Sequence, residues 1–128
     1  HVVKLVNNTI AACNRLAMYE AVAMGRKYGL SLQTMSDVIN KSSGRSGATE
    51  RALPAMLEGK QASNFAIGLM LKDVGLATKL GNNCGAPMML ANIARGLLQA
   101  GTYELGESAN LDDITAQIEA WADVKLKG

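Results

Sequence analysis

The chain has 128 residues, a formal net charge of +2 from 13 Lys+Arg against 11 Asp+Glu, and 48% hydrophobic residues of which few are aromatic. The length suits one compact domain, and the balanced charge excludes a dedicated nucleic-acid binder, whose basic face would shift the total much further. No run of roughly 18 apolar residues is present, which argues against a membrane-crossing helix: Lys72 interrupts the stretch after Phe65, and Asn92 and Arg95 interrupt Met88–Leu98. Ala, Leu, Met and Gly dominate, which favours helices over strands. The only prolines are Pro54 and Pro87. Cys13 and Cys84 make no disulfide framework and fit two reduced thiols in a cytosolic protein. No secretory signal is visible. The chain starts at His1 inside what already looks like a helix, so a piece of a longer protein is expected.

In chain order, the first predicted helix runs from about Val2 to Tyr28. Val3, Val6, Ile10, Cys13, Ala17, Val22 and Met24 recur at mostly helical spacing and form its expected buried stripe, and Gly29 is its stop signal. Such a helix is about 40 Å long and suits a central spine. Ser31 caps a second helix to about Asn40, with Leu32, Met35, Val38 and Ile39 expected inside. Lys41–Ser46 is a polar loop. A third helix ends at Glu58-Gly59, with Pro54 expected to kink or restart it. Phe65–Leu80 is the fourth, stopped by Gly81-Asn82-Asn83. Pro87 is expected as the first residue of a fifth, running to about Ala100. Asn110 caps the last, Leu111–Ala122, with Asp112 and Asp113 at its positive end. No segment alternates with period two and none repeats. The fold expected is all-α, five to seven helices around one long N-terminal helix.

The inventory of chemical motifs is largely negative. The only histidine is His1, so no Ser-His-Asp or Cys-His site can be built. There is no CxxC, HExxH or carboxylate set with metal spacing, and neither GxGxxG nor a P-loop. Gly44 and Gly47 lie in a loop that no strand precedes.

Two constellations remain. Lys4 and Asn8 share a face of the first helix, about 6 Å apart along its axis, beside Asn7 and the expected apolar stripe. Burial and the positive helix end would lower the pKa of such a lysine and suit it to moving a proton, while an asparagine offers both a donor and an acceptor. The plain alternative is a solvated lysine beside a capping asparagine. On the fourth helix, Phe65 and Lys72 are seven apart and share a face, with Asp73 about 80° further round. The plain alternative there is a core aromatic and a surface Lys-Asp pair.

Together these residues carry a resemblance. Lys4-Leu-Val-Asn7-Asn8, Glu20-Ala21, Gly25…Gly29, and Phe65 followed by Lys72-Asp73-Val-Gly-Leu76-Ala77 resemble the C-terminal helical domain of the β-hydroxyacid dehydrogenase family. That family includes 3-hydroxyisobutyrate dehydrogenase, tartronate semialdehyde reductase, glyoxylate reductases and threonate dehydrogenases. The likeness covers essentially the whole chain and implies a fold similar to the C-terminal domain of 6-phosphogluconate dehydrogenase. It implies an oxidoreductase that transfers a hydride between NAD or NADP and a small β-hydroxyacid or semialdehyde. Lys4 would be the general acid/base, Asn8 and Asn7 would bind substrate, and Lys72, Phe65 and Asp73 would face the cofactor, with no metal. Asp113-Ile-Thr115 stands where the family often shows Asp-x-Ser.

The family's N-terminal Rossmann domain, with its GxGxxG and its Ser-Gly-Gly substrate motif, does not occur in residues 1–128. The resemblance therefore implies a C-terminal substrate and dimerisation domain, inactive alone, acting in the cytoplasm in a dimer or tetramer with its own Rossmann domain. Neither the hydroxyacid nor the choice of NAD or NADP is legible, because the deciding acidic or basic residue follows a Rossmann strand. The other class is a non-catalytic helical dimerisation or interaction domain. A nucleic-acid module is disfavoured because Lys4, Arg15, Arg26, Lys41, Arg51, Lys72, Arg95 and Lys125 are scattered among acids.

Overall fold

The computed structural model describes residues 1–128. It is all-helical: α1 (Val2–Lys27), α2 (Leu32–Ile39), α3 (Gly47–Glu58), α4 (Ile67–Cys84), α5 (Met89–Leu105), a 3₁₀ turn (Leu111–Ile114) and α6 (Thr115–Ala122). A lone antiparallel bridge joins Ala66 and Asn110. The chain forms two compact units, one of residues 1–13 and 65–111, the other of residues 14–64 and 112–128.

In the first unit α4 packs on α5, and Leu5, Ile67, Met70, Val74, Ala91, Ala94 and Leu98 are buried. The start of α4 has no side-chain cap. Its exposed N–H groups are satisfied instead by the segment after α5: Ile67 N–H donates to Ala109 O at 2.8 Å, and Gly68 N–H to Glu107 O at 2.9 Å. Leu111 N–H donates back to Phe65 O at 2.7 Å. Gly68 is required here, because a Cβ would lie 2.8 Å from that Glu107 oxygen.

In the second unit α2 packs on α3, and Leu16, Tyr19, Val22, Leu32, Leu53, Ile114, Ile118 and Leu126 are buried. Ser31 caps α2 by accepting from Thr34 N–H. Ser46 and Thr49 form a reciprocal capping box on α3. Lys27 Nζ donates to Ala122 O at 2.6 Å, and Leu126 N–H to Glu119 Oε2 at 2.8 Å.

Several expected details differ. Of the stripe expected to be buried on α1, only Val22 is; Cys13 is half-buried, and Val3, Val6, Ile10, Ala17 and Met24 are exposed. The buried stripe is Leu5, Thr9, Ala12, Leu16, Tyr19 and Ala23, with Arg15. The helix is apolar on two faces, so spacing alone selects either one. On α2, Leu32 and Met35 are buried, whereas Val38 is exposed and Ile39 half-buried.

Pro54 neither ends nor restarts α3, which runs through it as one helix. Buried Ala48, Thr49, Ala52 and Leu53 hold the helix together across the missing N–H. Helix α4 begins two residues after Phe65 and continues past Gly81 to Cys84, where Gly85 caps it at φ 83. Gly81 is buried inside the helix because Met88 packs on it, leaving no room for a Cβ. Met88, at φ 49, is the N-cap of α5, so Pro87 lies outside that helix, and α5 continues to Leu105 through buried Gly101. Residues Leu111–Ile114 form a 3₁₀ turn rather than the first turn of an α-helix.

Candidate active site

The site is built where the start of α1 meets α4. Asp73 lies on the buried side of α4, with 12% of its side chain exposed. Its Oδ2 accepts a hydrogen bond from Asn8 Nδ2 at 2.7 Å and lies 3.9 Å from Lys4 Nζ. Asn7 Nδ2 donates to Asn8 Oδ1 at 3.4 Å. One carboxylate thus touches both groups that the sequence places a helical turn apart. An asparagine facing a carboxylate must present its NH₂, so the orientation of Asn8 is fixed by chemistry.

The burial expected for Lys4 is not found, since 63% of its side chain is exposed. At that exposure the contact with Asp73 contributes about 0–1 kcal/mol to stability.

Phe65 and Lys72 do not share a helix face. Phe65 lies two residues before α4, half-buried, its carbonyl accepting from Leu111 N–H. Lys72 is on α4, exposed, without an ion-pair or hydrogen-bond partner. Neither joins the network of Lys4, Asn7, Asn8 and Asp73. No group of three or more His, Cys, Asp or Glu side chains is placed to hold a metal ion, and no helix is long and apolar enough to cross a membrane.

A second polar cluster, absent from the sequence reading, lies in the other unit. Arg15 Nη1 donates to Asp112 Oδ1 at 2.6 Å and to Tyr19 OH at 3.0 Å. Asp112 Oδ2 accepts from Ala62 N–H at 2.6 Å, tying down the segment that leads from α3 towards Phe65. Burial opposes the Arg15 guanidinium, but Tyr19 and Asp112 outweigh it and hold its pKa above the ordinary value. The four-residue Arg15–Tyr19 spacing is its only local trace; Asp112 lies 97 positions from Arg15.

Residues 1–121 match the family model described as "NAD-binding of NADP-dependent 3-hydroxyisobutyrate dehydrogenase". The all-helical fold and these motifs are those of an NAD(P)-dependent hydroxyacid dehydrogenase family. The chain belongs to the 3-hydroxyisobutyrate dehydrogenase family, as the Lys4–Asn8 and Phe65–Ala77 motifs led us to expect. It is 36% identical over 121 residues to 2-(hydroxymethyl)glutarate dehydrogenase of Eubacterium barkeri, covering 93% of this chain and 39% of that one. It is 28% identical to L-threonate dehydrogenase of Cupriavidus necator, covering 98% and 41%. Among solved structures, 3-hydroxyisobutyrate dehydrogenase of Mycobacterium tuberculosis with L-serine is similar, with TM-score 0.81 and 25% identity, covering 91% of this chain and 42% of that one. The chain therefore spans about two fifths of the length of these relatives.

Proposed function

We propose that the chain is the C-terminal helical part of an NAD(P)-dependent dehydrogenase of small 3-hydroxyacids or their semialdehydes, and that it supplies the proton-carrying lysine. The observation that carries this reading is Asp73, whose one oxygen engages both Asn8 and Lys4. Lys4 Nζ carries the proton: it gives one to the carbonyl oxygen as hydride adds to the carbonyl carbon, and takes it back from the substrate hydroxyl as the carbinol C–H bond breaks in the reverse direction. Asp73 aims Lys4. Asn8 and Asn7 hold the substrate's polar groups beside it.

Bound NAD or NADP supplies the hydride acceptor. The residues present fit one edge of such a group: Lys72 is a free cation, and Phe65 offers part of a ring. No glycine-rich phosphate loop exists in these residues, so the main cofactor contacts come from a Rossmann domain. The solved relative with L-serine, itself a 3-hydroxy acid, supports the substrate class. We place the protein in the cytoplasm and in a homodimer or tetramer, with these 128 residues inactive alone.

The test is NAD(P)⁺ reduction with a panel of 3-hydroxyacids by the protein joined to its Rossmann domain. Activity is expected there, lost in Lys4→Ala, and absent from residues 1–128 alone. Full activity in Lys4→Ala would leave the non-catalytic dimerisation domain as the reading. A detectable rate from the isolated chain would overturn its inactivity.

A further inference from the structure

In the first unit, a cavity of about 460 Å³ opens between the second half of α4 and the first half of α5. That size falls within the roughly 300–1,000 Å³ of small-molecule sites. Lys79 and Arg95 are its only charged lining residues. Both are exposed, and neither takes part in a hydrogen bond or ion pair within the chain. No acid of the two helices is placed to neutralise them. Asp73, the only acid of α4, lies about 200° round the helix from Gly75 and about 180° from Asn82, which both line the cavity. It faces α1, where Asn8 holds it. Glu104, the only acid of α5, lies about half a turn round from Arg95 and about 14 Å further along.

The uncharged lining residues complete the chemistry. Thr78 is 7% exposed, and its hydroxyl donates to Gly75 O at 3.0 Å, which leaves its oxygen as an acceptor. Asn92 Nδ2 donates to Met88 O at 2.9 Å, which leaves Oδ1 as an acceptor too. Nothing lies within 4 Å of where a Gly75 Cβ would sit, so the wall is open there. Glycine inside a helix is less favourable than alanine, and no packed neighbour calls for it at this position. The last carbonyls of α4 do not oppose an anion in the cavity, because Gly81 O accepts from Ala86 N–H at 2.8 Å and Asn82 O from Gly85 N–H at 3.4 Å. Two unpaired cations suit a doubly negative oxyanion, which the guanidinium fork and the ammonium both bind. The two acceptors suit hydroxyls on the same molecule.

We infer that this cavity binds a small hydroxylated dianion, a phosphate ester of a polyol or a hydroxydicarboxylate, with its oxyanion between Lys79 and Arg95 and its hydroxyls on Thr78 and Asn92. The site lies on the side of α4 turned away from Asp73. It is therefore separate from the proton-carrying group and does not depend on the dehydrogenase reading.

The test is a nuclear magnetic resonance titration of the 128-residue chain, at fixed ionic strength, with glycerol 3-phosphate, inorganic phosphate and malate. Glycerol 3-phosphate is expected to shift the Gly75, Thr78, Asn82 and Asn92 signals saturably and to raise Tm. Inorganic phosphate, which carries no carbon-bound hydroxyl, should bind the same residues more weakly. The same saturable shifts with malate in place of the ester would support the site and assign the dicarboxylate. Lys79→Gln with Arg95→Gln should weaken binding tenfold or more. Gly75→Leu fills the open wall and should abolish binding with helicity unchanged by circular dichroism. If the double variant loses helicity, Gly75→Leu decides. Shifts spread over all the lysines, or binding retained in both variants, would be surface screening and would overturn the proposal. So would the absence of shifts at the cavity with all three probes, or shifts there with NADP⁺ alone, which would make the cavity part of the cofactor's site.

Discussion

Asn8 and Asp73, 65 positions apart, share a 2.7 Å hydrogen bond that ties the first turns of α1 to α4. The oxygen that accepts it also faces Lys4. Removing different members of this group should therefore leave different kinetic signatures. In the dehydrogenase joined to its Rossmann domain, Lys4→Ala should cut kcat by about 10²–10⁴-fold, the usual worth of a positioned acid/base group. Asn8→Ala should act mainly on KM. Asp73→Ala should lower kcat through misplaced Lys4 and raise KM through released Asn8. Steady-state kinetics of the three variants would separate these effects, and equal losses in kcat and KM for all three would count against the assigned roles.

The Arg15–Asp112 pair is predicted to matter for stability. Arg15 has 9% of its side chain exposed and Asp112 17%. Asp112→Ala strands a buried guanidinium and the Ala62 N–H, and should cost about 3–5 kcal/mol. Replacing both charged partners, Arg15→Met with Asp112→Ala, should recover much of that loss. Urea denaturation followed by circular dichroism measures both.

Tyr19 should make the fold sensitive to alkali. Burial raises its pKa above the ordinary 10.0; Arg15 opposes the shift, and Asp112 and Asp113 add to it. The folded state then holds the phenol proton more tightly than the unfolded chain does. That contribution is complete below pH 10.0 and is lost as pH rises through the folded value. Wild type should lose stability over this range, and Tyr19→Phe should show a flatter decline. Denaturation midpoints measured from pH 8 to pH 11 would show whether the two curves separate.

The two thiols should react unequally. Cys84 is exposed, whereas Cys13 is half-buried and its pKa is raised by burial. The thiolate is the reactive form, so at neutral pH alkylation should label Cys84 first. Mass spectrometry after partial reaction with iodoacetamide gives the ratio.

Much of this was legible in the sequence wherever the signal is local. Ser31 reaches only three residues to cap its helix, and Gly29 and Gly59 end theirs; Ser46 reads as the end of a polar loop, although it caps α3 over the same three-residue reach. The spacing of Lys4 and Asn8 placed them together, but nothing in it gave Asp73 as their common partner, because that contact joins two helices. The same limit hid Asp112: its first-turn position suggested a dipole role, whereas its acceptors serve Arg15 and Ala62. Both faces of α1 offer apolar side chains at helical spacing, so spacing does not say which face turns inward. The apolar run from Phe65 continues unbroken into Ile67 and reads as one helix, while hydrogen bonds to residues 107–111 fix where α4 begins.

Met88 and Gly81 carry a consequence for how this sequence can diversify. The Met88 side chain covers Gly81, and its own backbone is held at φ 49, a region costly for any residue with a Cβ. A side chain acquired at position 81 meets Met88 first and the Ala86 carbonyl oxygen, 3.0 Å away, next, so position 88 must shrink at the same time and the turn before it must give slightly. Glycine at position 88 would relieve the backbone strain but uncover the helix. Two sites seven residues apart thus form a single unit of variation, and substitutions tolerated at one should depend on what occupies the other.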